Sequence, residues 1–63
     1  MTLNNLILYT PKEVAKILQM HVDNVKVYLR SGELKGIKLG NRWRVDIRDL
    51  NDFIDKKRGV KNV

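Results

Sequence analysis

The segment that decides the fold of this protein is residues 10–32, which read TPKEVAKILQMHVDNVKVYLRSG. Thr10 offers the hydroxyl of a helix N-cap, Pro11 suits the first helical position, and Glu13 completes a capping box. The sequence therefore predicts a first helix from Pro11 to about Leu18. The residues predicted to form its buried stripe recur at helical spacing and are Val14, Ala15, Ile17 and Leu18.

A second helix is predicted from Val22 to Arg30, after a three-residue turn from Gln19 to His21. That separation is the length of the turn in a helix-turn-helix unit. Met20 is expected to fill the core of the turn, and Gly32 to supply a left-handed C-cap. The residues predicted to point inward follow i, i+3, i+4 spacing and are Val25, Tyr28 and Leu29.

The outer face of this second helix has the chemistry of a base-reading surface. Valine methyl groups suit thymine methyls, lysine and arginine suit guanine or phosphate, and Asp23 suits a cytosine amine as well as the helix dipole. The outer residues, predicted to read the major groove of DNA, are Val22, Asp23, Lys26, Val27 and Arg30.

A β-hairpin, which we call the wing, is predicted over residues 35–45, KGIKLGNRWRV, around a Gly40-Asn41 turn. Simple alternation assigns Ile37, Leu39, Trp43 and Val45 to one packed face, and Lys38, Arg42 and Arg44 to an opposite cationic face. Trp43 is accordingly expected to pack in the core rather than to stack on a base. The wing residues predicted to bind the DNA backbone are Lys38, Asn41, Arg42 and Arg44.

A third helix is predicted to begin after Asp46, with Val45 and Leu50 forming a hydrophobic staple across the cap. Its predicted buried residues are Leu50, Phe53 and Ile54. We expect one domain over residues 1–63, with a structured core at about 8–55. The basic tail 56–63 is expected to fray or to become ordered on DNA.

Composition limits the function of the chain. Sixty-three residues allow one modest core, and the absence of cysteine with a single histidine argues against disulfides and multi-ligand metal sites. The formal net charge of +6 favours a polyanionic partner. No membrane span or signal peptide is predicted, so we expect a soluble cytoplasmic, nucleoid-associated protein without a cofactor or small-molecule ligand.

Catalysis is not expected. The carboxylates at positions 46, 49, 52 and 55 recur every three residues, but no histidine or apolar cleft accompanies them. The glycines of residues 36–40 fit neither the dinucleotide-binding nor the P-loop spacing.

The order of these elements resembles the excisionase-type, MerR-like winged helix-turn-helix DNA-binding domains. Four segments carry the resemblance, which covers roughly residues 8 to 55: TPKEVA at 10–15, LRSGEL at 29–34, LGNRWRV at 39–45, and Asp49-Leu50 to Phe53-Ile54. It implies a small, mainly helical α+β fold with a two-stranded wing. It also implies that Val22 to Arg30 enters a major groove, while the wing at Lys38 to Arg44 touches the adjacent backbone or minor groove. The chain departs from the family at Gln19, where a glycine is common, and at His21, where a Ser or Thr cap is common.

The resemblance implies several functions that the residues do not distinguish. One is an excisionase, or recombination directionality factor, that binds repeated sites, bends DNA and directs an integrase toward excision. A second is a small transcriptional regulator of a phage or other mobile element. Apart from the resemblance, the valines predicted on the outer face of the second helix leave a third alternative open, an adaptor that binds protein through Val22 and Val27. Self-association on DNA is an expected source of cooperativity. Further predicted phosphate contacts are Lys12, His21, Tyr28, Lys56, Lys57 and Arg58.

Overall fold

The computed structural model describes residues 7–59, and the predictions made for residues 1–6 and 60–63 lie outside that range. Within it the chain forms three helices and a three-stranded antiparallel sheet of order β1-β3-β2. The predicted small α+β winged helix-turn-helix is therefore confirmed. None of these helices is long and apolar enough to cross a membrane. The elements are β1 Leu8–Tyr9, α1 Pro11–Leu18, α2 Val22–Ser31, β2 Ile37–Leu39, β3 Arg42–Asp46 and α3 Ile47–Arg58.

The helix-turn-helix follows the predicted boundaries closely. The backbone N–H of Glu13 donates to Thr10 Oγ1 at 3.1 Å, and the Thr10 N–H donates to Glu13 Oε1 at 2.8 Å, which completes the capping box. α1 ends at Leu18 and is capped by Gln19, whose φ of 55° lies in the left-handed region that favours glycine. Met20 packs against the core as predicted, and Gly32 caps α2 with φ 86°.

The assignment of Ile17 to the buried stripe of α1 was wrong. Ile17 is 48% exposed in the structure. Successive helical residues are separated by about 100° around the axis. The inward direction of α1 is set by Val14, Ala15 and Leu18, which cluster within one arc, and Ile17 lies about 100° away from the centre of that arc. In this helix of eight residues, the side chains that contact the core lie within that arc.

The hydrophobic core lies between the helices and the sheet and includes a residue that the sequence did not indicate. Leu34 is fully buried, and its N–H donates to the carbonyl oxygen of Tyr28 at 3.1 Å. It stands in an irregular segment, where no periodicity marks a side chain as inward. The buried apolar residues of the core are Val14, Ala15, Val25, Leu29, Leu34, Val45, Leu50 and Phe53.

The pairing register of the wing overturns the predicted division of its faces. Leu39 pairs directly with Arg42, and Ile37 with Arg44. Directly opposed residues project from the same face of an antiparallel pair, so a two-residue turn places the last residue of β2 on the same face as the first residue of β3. The prediction failed because alternation within each strand does not say how the strands match across the turn.

The two faces of the wing therefore differ from the expected pattern. Lys38, which was predicted to accompany the arginines, pairs with Trp43, and its Nζ lies 5.6 Å from the centre of the Trp43 ring. Trp43 packs against the core, as predicted. The outer face of the wing, a name we keep below, consists of Ile37, Leu39, Arg42 and Arg44.

Two further differences concern the ends of the fold. A short strand, β1, pairs Leu8 with Asp46 and Tyr9 with Val45, although only two strands were predicted. Two residues are too few to show an alternating pattern. At the other end α3 runs through Arg58 to a left-handed cap at Gly59, beyond the predicted limit of the core at residue 55. The basic residues 56–58 are thus part of α3.

Gly36 allows the wing to approach α2 closely. A Cβ atom at this position would lie 2.6 Å from Leu29 Cδ2 and 3.1 Å from Trp43 Cε3. We expect Gly36→Ala to lower the free energy of unfolding by about 1–3 kcal/mol, the usual cost of overpacking, measured by urea denaturation. A double-mutant cycle with Leu29→Ala provides the control. If the two changes add without any relief, the steric explanation is wrong.

The cap of α3 makes stability depend on pH. Asp46 is a buried carboxylate whose Oδ1 accepts from the Arg48 backbone N–H at 2.9 Å, while Oδ2 accepts from Arg48 Nη2 at 3.0 Å. The hydrogen bonds from the Arg48 side chain and backbone hold the pKa of Asp46 below its ordinary value. The carboxylate therefore contributes stability above the unfolded-state pKa of about 3.9, and that contribution is lost as the pH falls through the lower folded-state pKa.

Asp46→Asn tests this dependence, because asparagine retains N-cap ability without titrating. We expect the wild type to be more stable than the variant at pH 7, and the difference to shrink once the pH falls below about 4. Urea denaturation of both proteins across this range is the measurement. Parallel stability curves would contradict the assignment.

Candidate nucleic-acid interface

A groove of about 440 Å³ lies between the start of α1, the outer side of α2 and the wing. It is open to solvent, and the segments that form it are distant in sequence. Its lining residues, among those that the structure describes, are Thr10, Pro11, Lys12, Val22, Lys26, Asn41, Arg42, Trp43 and Arg44.

The sheet brings the start of α1 to the wing. β1 ends at Tyr9, which pairs with Val45, so α1 begins beside β3. Because β1 pairs only with Val45 and Asp46, the side of β3 away from β2 has no strand partner over residues 42–44 in the described chain. Side chains from both faces of β3 can therefore line the groove.

The groove has the chemistry of a polyanion-binding surface. Lys12, Lys26, Arg42 and Arg44 supply four cations, and none of its described lining residues is acidic. Pro11, Val22 and Trp43 add apolar surface between these charges. Cations bind phosphate, whereas apolar carbon can pack against the sugar, so the combination matches a nucleic-acid backbone.

The groove unites six of the predicted DNA-contacting residues. Lys12 comes from α1, Val22 and Lys26 come from α2, and the others from the wing. Other predicted contacts lie outside it. On α2, Asp23, Val27 and Arg30 are exposed. The remaining predicted residues that do not line the groove are His21, Tyr28, Lys38, Lys56, Lys57 and Arg58.

The start of α2 is held by the side chain of His21. Its Nδ1 accepts a hydrogen bond from the Asp23 backbone N–H at 3.1 Å, which is an N-cap interaction. The exposed imidazole of His21 therefore caps α2 at the protein surface. Val22, assigned to the outer face, is half-buried and packs against the core, so it offers the groove only part of its side chain. Its position at the first residue of α2, beside the core edge, explains the difference.

The two arginines of the wing differ in solvent exposure and in hydrogen bonding. Arg42 is exposed next to the turn, whereas Arg44 is half-buried and its Nη1 donates to the carbonyl oxygen of Trp43 at 2.7 Å. That hydrogen bond holds the Arg44 guanidinium against its own strand. Arg42 is therefore the wing cation better placed to reach a ligand.

Tyr28 and Lys57 are engaged with each other between α2 and α3. The Tyr28 ring packs edge-on against Phe53, with centroids 5.0 Å apart. Lys57 Nζ lies 4.9 Å from the Tyr28 ring centre and forms an ion pair with Glu33. This hydrogen-bonded carboxylate raises the pKa of Lys57. The tyrosine ring packs as predicted, and the lysine connects the two helices.

Acidic residues collect at a different groove. That groove is lined by Glu33, Lys35, Asp49, Asp52, Phe53, Asp55 and Lys56. Four of the seven carboxylate residues of the chain are thereby kept away from the basic groove. This separation directs the positive field of the protein toward the side of α2 and the wing.

Sequence reasoning missed three participants in the basic groove. Thr10 and Pro11 were recognised only as helix-starting residues, and Trp43 only as a core residue. No local pattern identifies them, because they join the groove through the pairing of β1 with β3.

Comparisons with known proteins agree with this geometry. A family model described as a helix-turn-helix domain matches residues 8–58, which include every element of the fold. No curated protein and no solved structure matches the chain.

Proposed function

This chain belongs to the helix-turn-helix domain family, which binds double-stranded DNA in a sequence-specific manner, and we propose a mode of DNA binding and a biological role for it. In the proposed complex α2 enters the major groove, the wing reaches the neighbouring minor groove, and the basic groove receives the phosphodiester strand that separates them. The observation that carries this proposal is the convergence of four cations from α1, α2 and the wing on one groove.

Contacts in this complex divide into positioning and reading. Lys12, Lys26, Arg42 and Arg44 bind phosphates, which fixes the register of the protein on the duplex. Base reading falls to the exposed side chains of α2, with Val27 against thymine methyls and Arg30 against guanine. Val27 is 52% exposed, which an apolar contact of this kind requires.

The biological role that we propose is that of an excisionase, or recombination directionality factor, of a mobile element. One recognition helix reads only about four base pairs, too few for selectivity by a single copy. Several copies bound to adjacent repeats provide that selectivity, and their assembly bends the DNA to direct a cognate integrase toward excision. The alternative is a transcriptional regulator of the element that occupies a single operator; both roles use the same DNA-binding surface.

A footprint of the purified protein across the DNA around its own gene tests the role. We expect protection of several repeats beside an attachment site for an integrase. A single protected promoter operator would favour the regulator. Absence of protection on any fragment would favour the adaptor, which binds protein through the exposed Val27 and the partly exposed Val22.

Alanine variants test the DNA-binding surface directly. Arg42→Ala is expected to weaken binding about equally for all sequences and to reduce the salt dependence by about one unit of slope. Lys35→Ala is the matched control, because it removes the same charge from the acidic groove. Titrations of fluorescent duplex with increasing protein measure both. Unchanged affinity in an Arg30→Ala/Arg42→Ala variant would contradict the proposed docking.

A further inference from the structure

The outer face of the wing carries exposed apolar side chains close to its tip. Leu39, the last residue of β2, is 53% exposed, and Ile37 is 39% exposed. The adjoining turn is narrow, because Gly40 adopts φ 63° and the strands are joined by only two residues. Leu39 is therefore an exposed apolar side chain directly beside the tip of the wing.

The register places these apolar side chains beside cations. Leu39 lies directly opposite Arg42, and Ile37 lies directly opposite Arg44. Opposed side chains in such a pair begin only about 5 Å apart at Cβ. The side chains of Leu39 and Arg42 thus project side by side from the same face of the wing, next to the turn.

We propose that Leu39 is a minor-groove wedge. When the wing approaches the duplex, the Leu39 side chain enters between two stacked base pairs from the minor groove, while Arg42 binds the phosphate strand beside it. This inference rests on the proposed DNA binding and adds the element that deforms the duplex. Leucine and isoleucine are among the residues that other minor-groove proteins insert between base pairs.

Charge favours DNA over a second copy of the chain as the occupant of this face. The edge of β2 that has no strand partner among residues 7–59 could pair with the same edge of another copy, but β2 is only three residues long with Lys38 at its centre. Such pairing would also bring the wing cations of both copies together, because the face of each carries Arg42 and Arg44. Short edges with lysine disfavour strand pairing, whereas the same cations attract a polyanion.

Unstacking at one base step is the direct test. Duplexes that bind the full-length protein are first selected from random sequence. The selected duplexes are then prepared with 2-aminopurine at successive positions. This base fluoresces more strongly when it is unstacked. We expect wild-type protein to raise the fluorescence at one step and to bend the duplex by at least about 20°, measured by energy transfer between its ends. Leu39→Ala is expected to abolish both signals while protecting the same footprint.

Ile17→Ala is the matched control, because Ile17 is an apolar residue of similar exposure, 48%, on α1 and does not line the basic groove. It is expected to retain both signals. Unstacking and bending that persist in Leu39→Ala would overturn the wedge, as would a wild-type complex with no unstacked step; DNA binding would stand in both cases. Failure of the wild type to bind any selected duplex would instead overturn the proposed function, and the wedge with it.

Discussion

The affinity of this protein for duplex DNA is expected to fall by about a thousandfold between 50 and 200 mM monovalent salt. Each phosphate that a lysine or arginine neutralises releases condensed counterions, so contact with about five to seven phosphates gives a slope on the order of −5 in log affinity against log salt. The groove supplies four cations, and a fifth, Lys38, lies exposed on the wing directly opposite Trp43, which lines the groove. The number of available charges therefore matches the predicted slope.

Titration of a fluorescent duplex at several salt concentrations measures this slope. Lys35→Ala should leave the slope close to that of the wild type, because Lys35 lines the acidic groove. A response that is nearly independent of salt would be incompatible with phosphate binding in the basic groove. It would instead favour the adaptor, which uses apolar contacts.

Replacement of Leu34 by alanine is expected to have the largest effect on folding. Leu34 is fully buried, and such truncations cost about 2–5 kcal/mol, because they remove apolar contacts and leave a cavity. A protein of this length has a total stability of only about 3–9 kcal/mol. We therefore expect the melting temperature to fall by about 10 to 40 °C.

Leu39→Ala is the matched control for Leu34→Ala, because it makes the same chemical change at a leucine that is 53% exposed. Its free energy of unfolding is expected to stay within about 0.5 kcal/mol of the wild type. Thermal unfolding followed by circular dichroism measures both proteins. Equal melting temperatures for the two variants would show that Leu34 does not have the core position described above.

The helix-turn-helix was predictable because its signals are local. The capping box of Thr10 and Glu13, the three-residue turn and the C-cap at Gly32 each depend on residues within one or two helical turns of each other. The chain thus contains, at short range, the hydrogen-bond partners that start and stop its helices. The boundaries of α1 and α2 agree with the predicted ones for the same reason.

The sequence indicated several residues of the candidate site, but it did not predict how all of them are placed in the fold. Lys26 and Arg42 were assigned to DNA on charge and on position in α2 and the wing, and the structure brings both to one groove. Val22 shows where this reasoning reached its limit. The helical spacing placed Val22 on the outer face of α2. At the end of a helix that lies beside the core, however, a side chain on the outer face can still be partly buried, and helical periodicity does not predict this.

By itself, the sequence determined where α1 and α2 begin and end, the presence of a wing, and the positive charge that favours DNA. Only the tertiary structure decided which wing side chains share a face, that Leu34 belongs to the core, and that Thr10 and Trp43 line the same groove. The physical reason is range. Caps and turns are satisfied by neighbours in the chain, whereas strand register and burial depend on segments that meet only after folding.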